Sequence, residues 1–273
     1  MARYRTLPKL IIIFTILSIA ILIKRREEYK QKWEELMSPL PAEVERADSS
    51  GPEQVAPQEV PLEPVLLDTG LVGWYSFYGN AKDGSTAKNH GQIHGAQPAP
   101  DRFGNAKNAY YFDGHSYIEL PESPSLQSTR TGFSVTAWVN QESTLGRQGV
   151  VSWDGHWYLG IFNGALLGAV FRYPLEQREY QCRPWLQPGK WHFIALTYDT
   201  QYMRFYQDGK LIDQIQYPAR RLGQKQYNIF HKPAIGHGVG SEQRAFKGWI
   251  DEVRIYNRPL NRREIETLYS LTE

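Results

Sequence analysis

Short runs of apolar and β-branched residues recur between Leu71 and Tyr256, and turn-forming residues separate them. Aspartate–glycine and asparagine–glycine pairs, such as Asp113-Gly114 and Asn163-Gly164, are strong hairpin signals. Since repeated strand–helix–strand units are absent from the pattern, a single antiparallel sandwich is the simplest packing. The predicted strands are Leu71–Phe77, Ala109–Phe112, Tyr117–Leu120, Phe133–Val139, Gly149–Trp153, Trp157–Phe162, Leu166–Phe171, Trp191–Tyr198, Met203–Gln207, Leu211–Ile215 and Gly248–Tyr256.

A short helix is predicted directly after the last strand. Pro259 ends the strand pattern, and Asn261 with Glu264 three residues later is typical of a capping box. Ile265 and Leu268 then follow at helical spacing. The pattern therefore predicts an all-β domain that ends in one short C-terminal helix.

Two acidic residues, Asp251 and Glu252, interrupt the last apolar strand. A buried carboxylate is costly without a partner, and backbone amides, an arginine or a metal ion could serve. Since successive side chains of a strand point to opposite faces, we expect Asp251 and Glu252 to face away from each other.

Residues 10–23 read LIIIFTILSIAILI and carry no charge. At ~1.5 Å per residue this run covers about 21 Å of a ~30 Å bilayer core, and Lys9 and Lys24 can snorkel. A signal-peptide core and a buried helix are the alternatives, but Lys24-Arg25-Arg26 stands where a cleavage site needs small residues. We therefore predict that residues 1–23 form an uncleaved, single-pass membrane anchor.

The charges around this run leave its orientation open. Three Lys and Arg residues precede it and five follow within residues 24–32, which would place the C-terminal side in the cytoplasm. Long domains can nevertheless be translocated against such a bias.

Residues 24–38 are predicted to continue as a helical stalk, with Glu28 and Lys32 as a favourable i,i+4 pair. An interfacial helix, a stripe that forms a homo-oligomer and a solvated stalk are open alternatives. Residues 39–69 follow as a disordered Pro/Glu-rich linker, because the stretch 39–64 holds six prolines and six acidic residues without periodicity. The folded domain is then residues 70–273.

Composition excludes some functional classes. The net charge is +2, whereas a nucleic-acid binder usually carries a concentrated basic face, so we expect no nucleic-acid partner. The single cysteine, Cys182, excludes an internal disulfide. An aromatic content of 13% with 23 glycines and 17 prolines agrees with an all-β domain.

A set of motifs resembles a known family. The segments are Gly70–Phe77, Gly79–Asp83, His94–Ala96, Asp101–Gly104, Tyr111–Ile118, Phe133–Val139, Gly189–Phe193 and Gly248–Tyr256. In this order they resemble the bacterial form of the laminin-G-like, concanavalin A-like lectin–glucanase superfamily. The resemblance implies an antiparallel two-sheet jelly-roll sandwich on the extracytoplasmic side of the membrane. It leaves the function open, because this fold serves lectins, adhesion modules and glycosidases.

The resemblance also implies a calcium ion as cofactor, with Asp83, Asn89 and Asp251 as ligands. Calcium takes six to eight oxygen ligands, which carboxylates, carbonyls and water can supply. Lys88 departs from the composition of the family's loop. The alternative is that Asp83 caps a turn and Asp251 accepts hydrogen bonds from backbone amides.

The acidic residues do not form a recognisable catalytic pattern. Retaining glycosidases need two carboxyl groups ~5 Å apart, and glucanases of this superfamily place them at alternating positions of one strand. No predicted strand has that spacing, and Asp251 and Glu252 are expected on opposite faces. We therefore predict that the protein is not an enzyme.

Four aromatic residues near turns or in stretches without a pattern are candidates for ligand binding: Trp157, Tyr180, Trp185 and Tyr227. Exposed rings of this kind stack on sugar faces; the alternative is an ordinary solvated surface. We predict a membrane-anchored, non-enzymatic module that presents its domain to a glycan or protein partner. A structural protein that assembles through anchor and stalk, and an atypical glycosidase, are the alternatives.

Overall fold

The computed structural model describes residues 65–153, 155–172, 176–218, 232–238 and 245–271. The predicted anchor, the stalk and most of the linker lie outside these residues. Of the helices in the described ranges, none is long and apolar enough to span a membrane.

The described residues form a two-sheet antiparallel sandwich with short helices, which confirms the predicted fold class. The strands are β1 (Leu71–Tyr75), β2 (Gln92–His94), β3 (Gln97–Ala99), β4 (Ala109–Asp113), β5 (Tyr117–Glu119), β6 (Phe133–Gln141), β7 (Arg147–Trp153), β8 (Trp157–Phe162), β9 (Ala165–Arg172), β10 (Glu176–Trp185), β11 (His192–Tyr198), β12 (Tyr202–Gln207), β13 (Lys210–Gln216), β14 (Ala234–Ile235) and β15 (Lys247–Tyr256). The helices are α1 (Pro124–Gln127), a 3-10 turn (Ser128–Thr131) and α2 (Arg262–Ser270).

The first sheet has the order β13-β12-β11-β6-β15-β4-β3, and the second has the order β10-β9-β8-β7-β14-β5-β2. Strand β15 pairs with β6 along one edge. Its other edge is divided, because Lys247–Ile250 pair with β4 whereas Val253–Tyr256 pair with β1. The first and last strands of the domain therefore lie side by side.

Alternating side chains of the two sheets fill the space between them. Val135 and Val139 of β6 pack in the same fully buried cluster as Leu159 and Ile161 of β8. Burying apolar surface stabilises a fold by about 25 cal/mol per Å². We therefore expect this cluster to be the main source of the domain's stability.

All eleven predicted strands are present, but the stretch around Tyr180, predicted to be irregular, contains the ten-residue strand β10. The charged run from Glu176 to Glu179 has no apolar alternation, so the sequence carries little strand signal there. Instead, β10 is held by its backbone ladder to β9. The short strands β2, β3 and β14 were also not predicted.

Helix α2 covers the outer face of the first sheet, where Ile265 and Leu268 pack with Phe193 and Tyr256. Its N-terminus has the predicted capping box. The Glu264 amide donates to Asn261 Oδ1 at 3.0 Å, and the Asn261 amide donates to Glu264 Oε2 at 2.8 Å. Two backbone donors at the helix start are thereby satisfied.

We expect Asn261→Ala to lower the free energy of unfolding by about 1 kcal/mol, because the first turn of α2 loses its side-chain acceptor. Urea denaturation of the full-length protein measures the loss. Glu266→Ala is the control, since it removes only an exposed pair with Arg262 that is worth less than about 0.5 kcal/mol. Equal losses in the two variants would contradict the role of the cap.

Candidate functional site

Asp83 organises the loop between β1 and β2. Its Oδ1 accepts hydrogen bonds from the Trp74 and Ser85 amides, both at 2.8 Å. Its Oδ2 accepts from the Ser85 hydroxyl at 2.9 Å and from the Asn89 amide at 2.6 Å. Four donors thus point at one buried carboxylate, so groups of the protein itself satisfy both of its oxygens.

Asn89 lies next to Asp83 and extends the same network. Its side-chain amide donates to the Val72 carbonyl at 2.7 Å and to Ser125 Oγ at 2.9 Å. The Tyr75 hydroxyl donates to the Asn89 carbonyl at 2.6 Å. Burial raises the pKa of Tyr75 well above its usual value, and the Asp83 charge adds to this effect. Asp83 and Asn89, both named as calcium ligands, are thus in direct contact, and that contact is a hydrogen bond within the protein.

Asp251 and Glu252 share one face of β15, so the expectation that they face apart is wrong. The ladder between β15 and β6 shifts register between Asp251 and Arg254, and Glu252 has a positive φ of 49°. Ile250 and Val253 both point into the core, which leaves the two acids together on the opposite side. A β-bulge inserts one extra residue and thereby breaks the alternation of side chains.

Each of these two acids is paired with an arginine. Arg102 Nη1 lies 2.6 Å from Asp251 Oδ2, and both side chains are buried. Burial raises the pKa of Asp251 to about 7, although Arg102 acts in the opposite direction. Glu252 Oε2 accepts hydrogen bonds from Arg254 Nη2 at 2.9 Å and from Trp74 Nε1 at 3.0 Å.

The residues named for calcium do not fit the ion. Asp83 is surrounded by donors, and the guanidinium of Arg102 occupies the position beside Asp251 that a cation would need. Within the described ranges, no group of three His, Cys, Asp or Glu side chains could hold a metal ion. Calcium binding stays a prediction, and we derive no role for it.

The structure separates the four predicted ligand-binding aromatics. Trp157 has no exposed surface and stacks on Phe133 at 5.3 Å, so its prediction as a ligand-binding residue is wrong. Its ring nitrogen donates to Thr129 Oγ1 at 3.0 Å, which satisfies it inside the core. Tyr180 is partly buried and packs against the same core. Tyr227 lies outside the described residues.

Of the three predicted residues that the structure describes, only Trp185 presents a large exposed surface, at 54%. The guanidinium of Arg183 lies 5.5 Å from the centre of its ring. The Leu186 amide donates to the Gly164 carbonyl, which ties the chain after β10 to the turn after β8. We call Arg183 and Trp185 the Trp185 patch.

A second group of aromatic residues was missed. Tyr78 is 55% exposed and Phe103 is 49% exposed, and both line one small cleft above the bulge of β15. Ser76, Asp101, Arg102, Asn108, Asp251 and Glu252 complete the lining of this Tyr78–Phe103 cleft. The motif Asp101–Gly104 had signalled only the fold, because nothing local connects it with β15.

Residues 112–266 match the sequence profile of a laminin G family described as the concanavalin A-like lectin/glucanases superfamily. This match covers more than half of the chain. The chain belongs to the concanavalin A-like lectin/glucanase superfamily. No curated protein matches it.

Solved structures of similar fold include three domains of bacterial proteins. The binding domain of Paraclostridial Mosquitocidal Protein 1 has a TM-score of 0.62 at 19% identity, over 75% of this chain and 52% of that chain. Domain 4 of AbnA, an extracellular arabinanase from Geobacillus stearothermophilus, was solved with arabinotriose. It has a TM-score of 0.57 at 21% identity, over 73% of this chain and 98% of that chain.

The binding domain of Botulinum Neurotoxin DC was solved with SialylT, and it has a TM-score of 0.55 at 16% identity. This match covers 75% of the present chain and 52% of the toxin domain. The superfamily member described here thus spans about half the length of the two toxin domains. At these identities the similarity shows the fold alone.

For this superfamily member we expect ~5 mM CaCl₂ to leave the melting temperature unchanged relative to MgCl₂ at equal concentration, because the acids already have protein partners. Differential scanning calorimetry of the full-length protein makes the comparison. A rise in melting temperature with calcium but not with magnesium would contradict this expectation.

Proposed function

We propose that the protein is a membrane-anchored, non-enzymatic module whose domain binds a glycan or protein partner. Structures of similar fold carry such ligands: arabinotriose in the arabinanase domain, and SialylT or rat synaptotagmin II with the neurotoxin domain. Fold similarity alone does not transfer a ligand, so the proposal must rest on residues of this chain.

The exposed ring of Trp185 carries the proposal, and it favours a glycan. A tryptophan side chain combines a large apolar face with one polar N–H group, which suits the apolar face and hydroxyl rim of a sugar. Arg183 next to the ring supplies several N–H donors for hydroxyl oxygens. The ring belongs to the last residue of β10, which pairs with Ala165 of β9 after a register shift that follows Cys182, so the end of the strand sets its position.

The paired acids support a binding role over catalysis. General acid catalysis needs a carboxyl group with a pKa near the working pH and with direct access to the substrate. The raised pKa of Asp251 meets the first condition, but its buried contact with Arg102 does not meet the second. Asp251 is held by Arg102 and Glu252 by Arg254, each within hydrogen-bond distance. Asp251 and Glu252 are also neighbours on one strand, so both would lie on the same side of a bound substrate. In glycosidases, by contrast, the two carboxyl groups lie on either side of the glycosidic bond that is cleaved.

The sequence supports membrane anchoring through residues 10–23 and a linker that holds the domain away from the bilayer. We propose an extracytoplasmic domain, because its fold relatives include a secreted arabinanase domain. Protease treatment of cells whose outer envelope is permeabilised while the inner membrane stays intact tests this orientation: cleavage of the domain supports it, and full protection would contradict it.

We expect Trp185→Ala to weaken glycan binding by about tenfold, which corresponds to the loss of one aromatic contact. A glycan array with neutral and sialylated oligosaccharides, probed with the full-length protein, measures the effect. Leu211→Ala is the matched control, because Leu211 is 45% exposed on β13 and lies outside the patch. Equal retention by Trp185→Ala and Leu211→Ala would contradict the role of the patch.

A further inference from the structure

The Tyr78–Phe103 cleft lies where the hydrogen-bonding partners of β15 change. Strand β4 pairs with β15 up to Ile250, and β1 pairs with it from Val253 onward. Asp251 and Glu252 stand between the two partners, at the bulge. Bulges are frequent beside binding and active sites, where they redirect side chains.

Strained backbone conformations surround the same cleft. Phe77, Lys107 and Glu252 have positive φ values of 57°, 66° and 49°, although none is a glycine. Phe77 lies between two lining residues of the cleft, and Lys107 directly precedes a third, Asn108. Such conformations are costly for residues other than glycine, and they cluster at ligand sites.

The cleft has room for only a small chemical group of a ligand. Its cavity volume is about 10 Å³, enough for one water-sized group such as a hydroxyl. Arg102 lines the cleft, and its buried Nε has no hydrogen-bond partner among the described residues. The carboxylates of Asp251 and Glu252 line the same cavity, and each oxygen can accept more than one hydrogen bond.

The charges of the lining disfavour an ionic ligand. Three carboxyl groups and one guanidinium line the cleft, so a phosphate or carboxylate group would meet more acidic than basic side chains. The guanidinium of Arg102 already lies 4.4 Å from the centre of the Phe103 ring and pairs with Asp251, so a ligand cation would compete with it. A neutral hydroxyl both donates and accepts, and it matches this lining.

The rim of the cleft consists of the Tyr78 and Phe103 rings, and hydrogen bonds hold the backbone that carries them. The amides of Phe103 and Asn105 donate to Asp101 Oδ1, both at 2.8 Å, which fixes the loop that carries the Phe103 ring. On the other side, the Tyr78 carbonyl accepts a hydrogen bond from the Asn80 side chain at 2.8 Å. Binding therefore requires little ordering of the rim, which favours affinity.

We propose that the Tyr78–Phe103 cleft is a second saccharide-binding position, which accepts one hydroxyl group of a neutral sugar while Tyr78 and Phe103 contact its ring. The proposal rests on the glycan-binding function but not on the Trp185 patch, which belongs to the other sheet. It names the ligand class, a neutral oligosaccharide, at a site formed by the segment after β1, the loop before β4 and the bulge of β15.

The test uses the full-length protein on an array of neutral and sialylated oligosaccharides, followed by calorimetric titration of the neutral oligosaccharide retained best. We expect Phe103→Leu and Tyr78→Leu each to weaken that binding roughly tenfold, since they keep apolar bulk but remove the ring. Tyr269→Leu is the control, because it removes a ring of 39% exposure outside the cleft. Equal melting temperatures of the variants verify their folding.

Each result decides the question. Weakened binding in both cleft variants, with Tyr269→Leu unchanged, supports the proposal. Binding that Trp185→Ala abolishes but both cleft variants retain overturns the cleft and leaves the proposed function standing. Retention of sialylated glycans alone overturns the assignment of a neutral ligand, and no retention of any glycan overturns both proposals.

Discussion

Strand β15 is the element on which the rest of the domain depends, because three strands share its backbone hydrogen bonds. Its ladder to β6 joins it to the middle of the first sheet, and its divided outer edge joins β4 to β1. The last strand of the domain thereby pairs with the first. Since these contacts are distant in sequence, they form only when most of the chain is in place.

The change of partner along β15 also explains the buried charges. An unbroken strand would have sent one of the two acids into the core, at a cost of several kcal/mol for an unpaired ion. The bulge instead places Asp251 and Glu252 together on the outer face, where Arg102 and Arg254 neutralise them. The arginines come from different places, Arg102 from the loop before β4 and Arg254 from β15 itself, so the pairs also link that loop to the strand.

Local chemistry was readable from the sequence, and long-range contacts were not. The cap at Asn261 depends on residues three apart, and the capping box has the predicted partners. Trp157 and Trp185 both follow turn-like or irregular stretches, yet the first is enclosed by Phe133 and Thr129 while the second is exposed. Only the tertiary fold distinguishes them. The bulge at Glu252 has only a weak sequence signal, the change of phase between Ile250 and the pair Val253 and Ile255, and the predicted strict alternation did not use it.

Two exposed aromatic positions on one domain suit an extended glycan, because a polymer that reaches both gains affinity through effective concentration. Hydrogen–deuterium exchange of the full-length protein, with and without the neutral oligosaccharide it retains best, tests both positions in one measurement. We expect slower exchange in segments 76–80, 101–105 and 183–186, and no change along β13. Protection confined to other segments would contradict the assignment of these two positions.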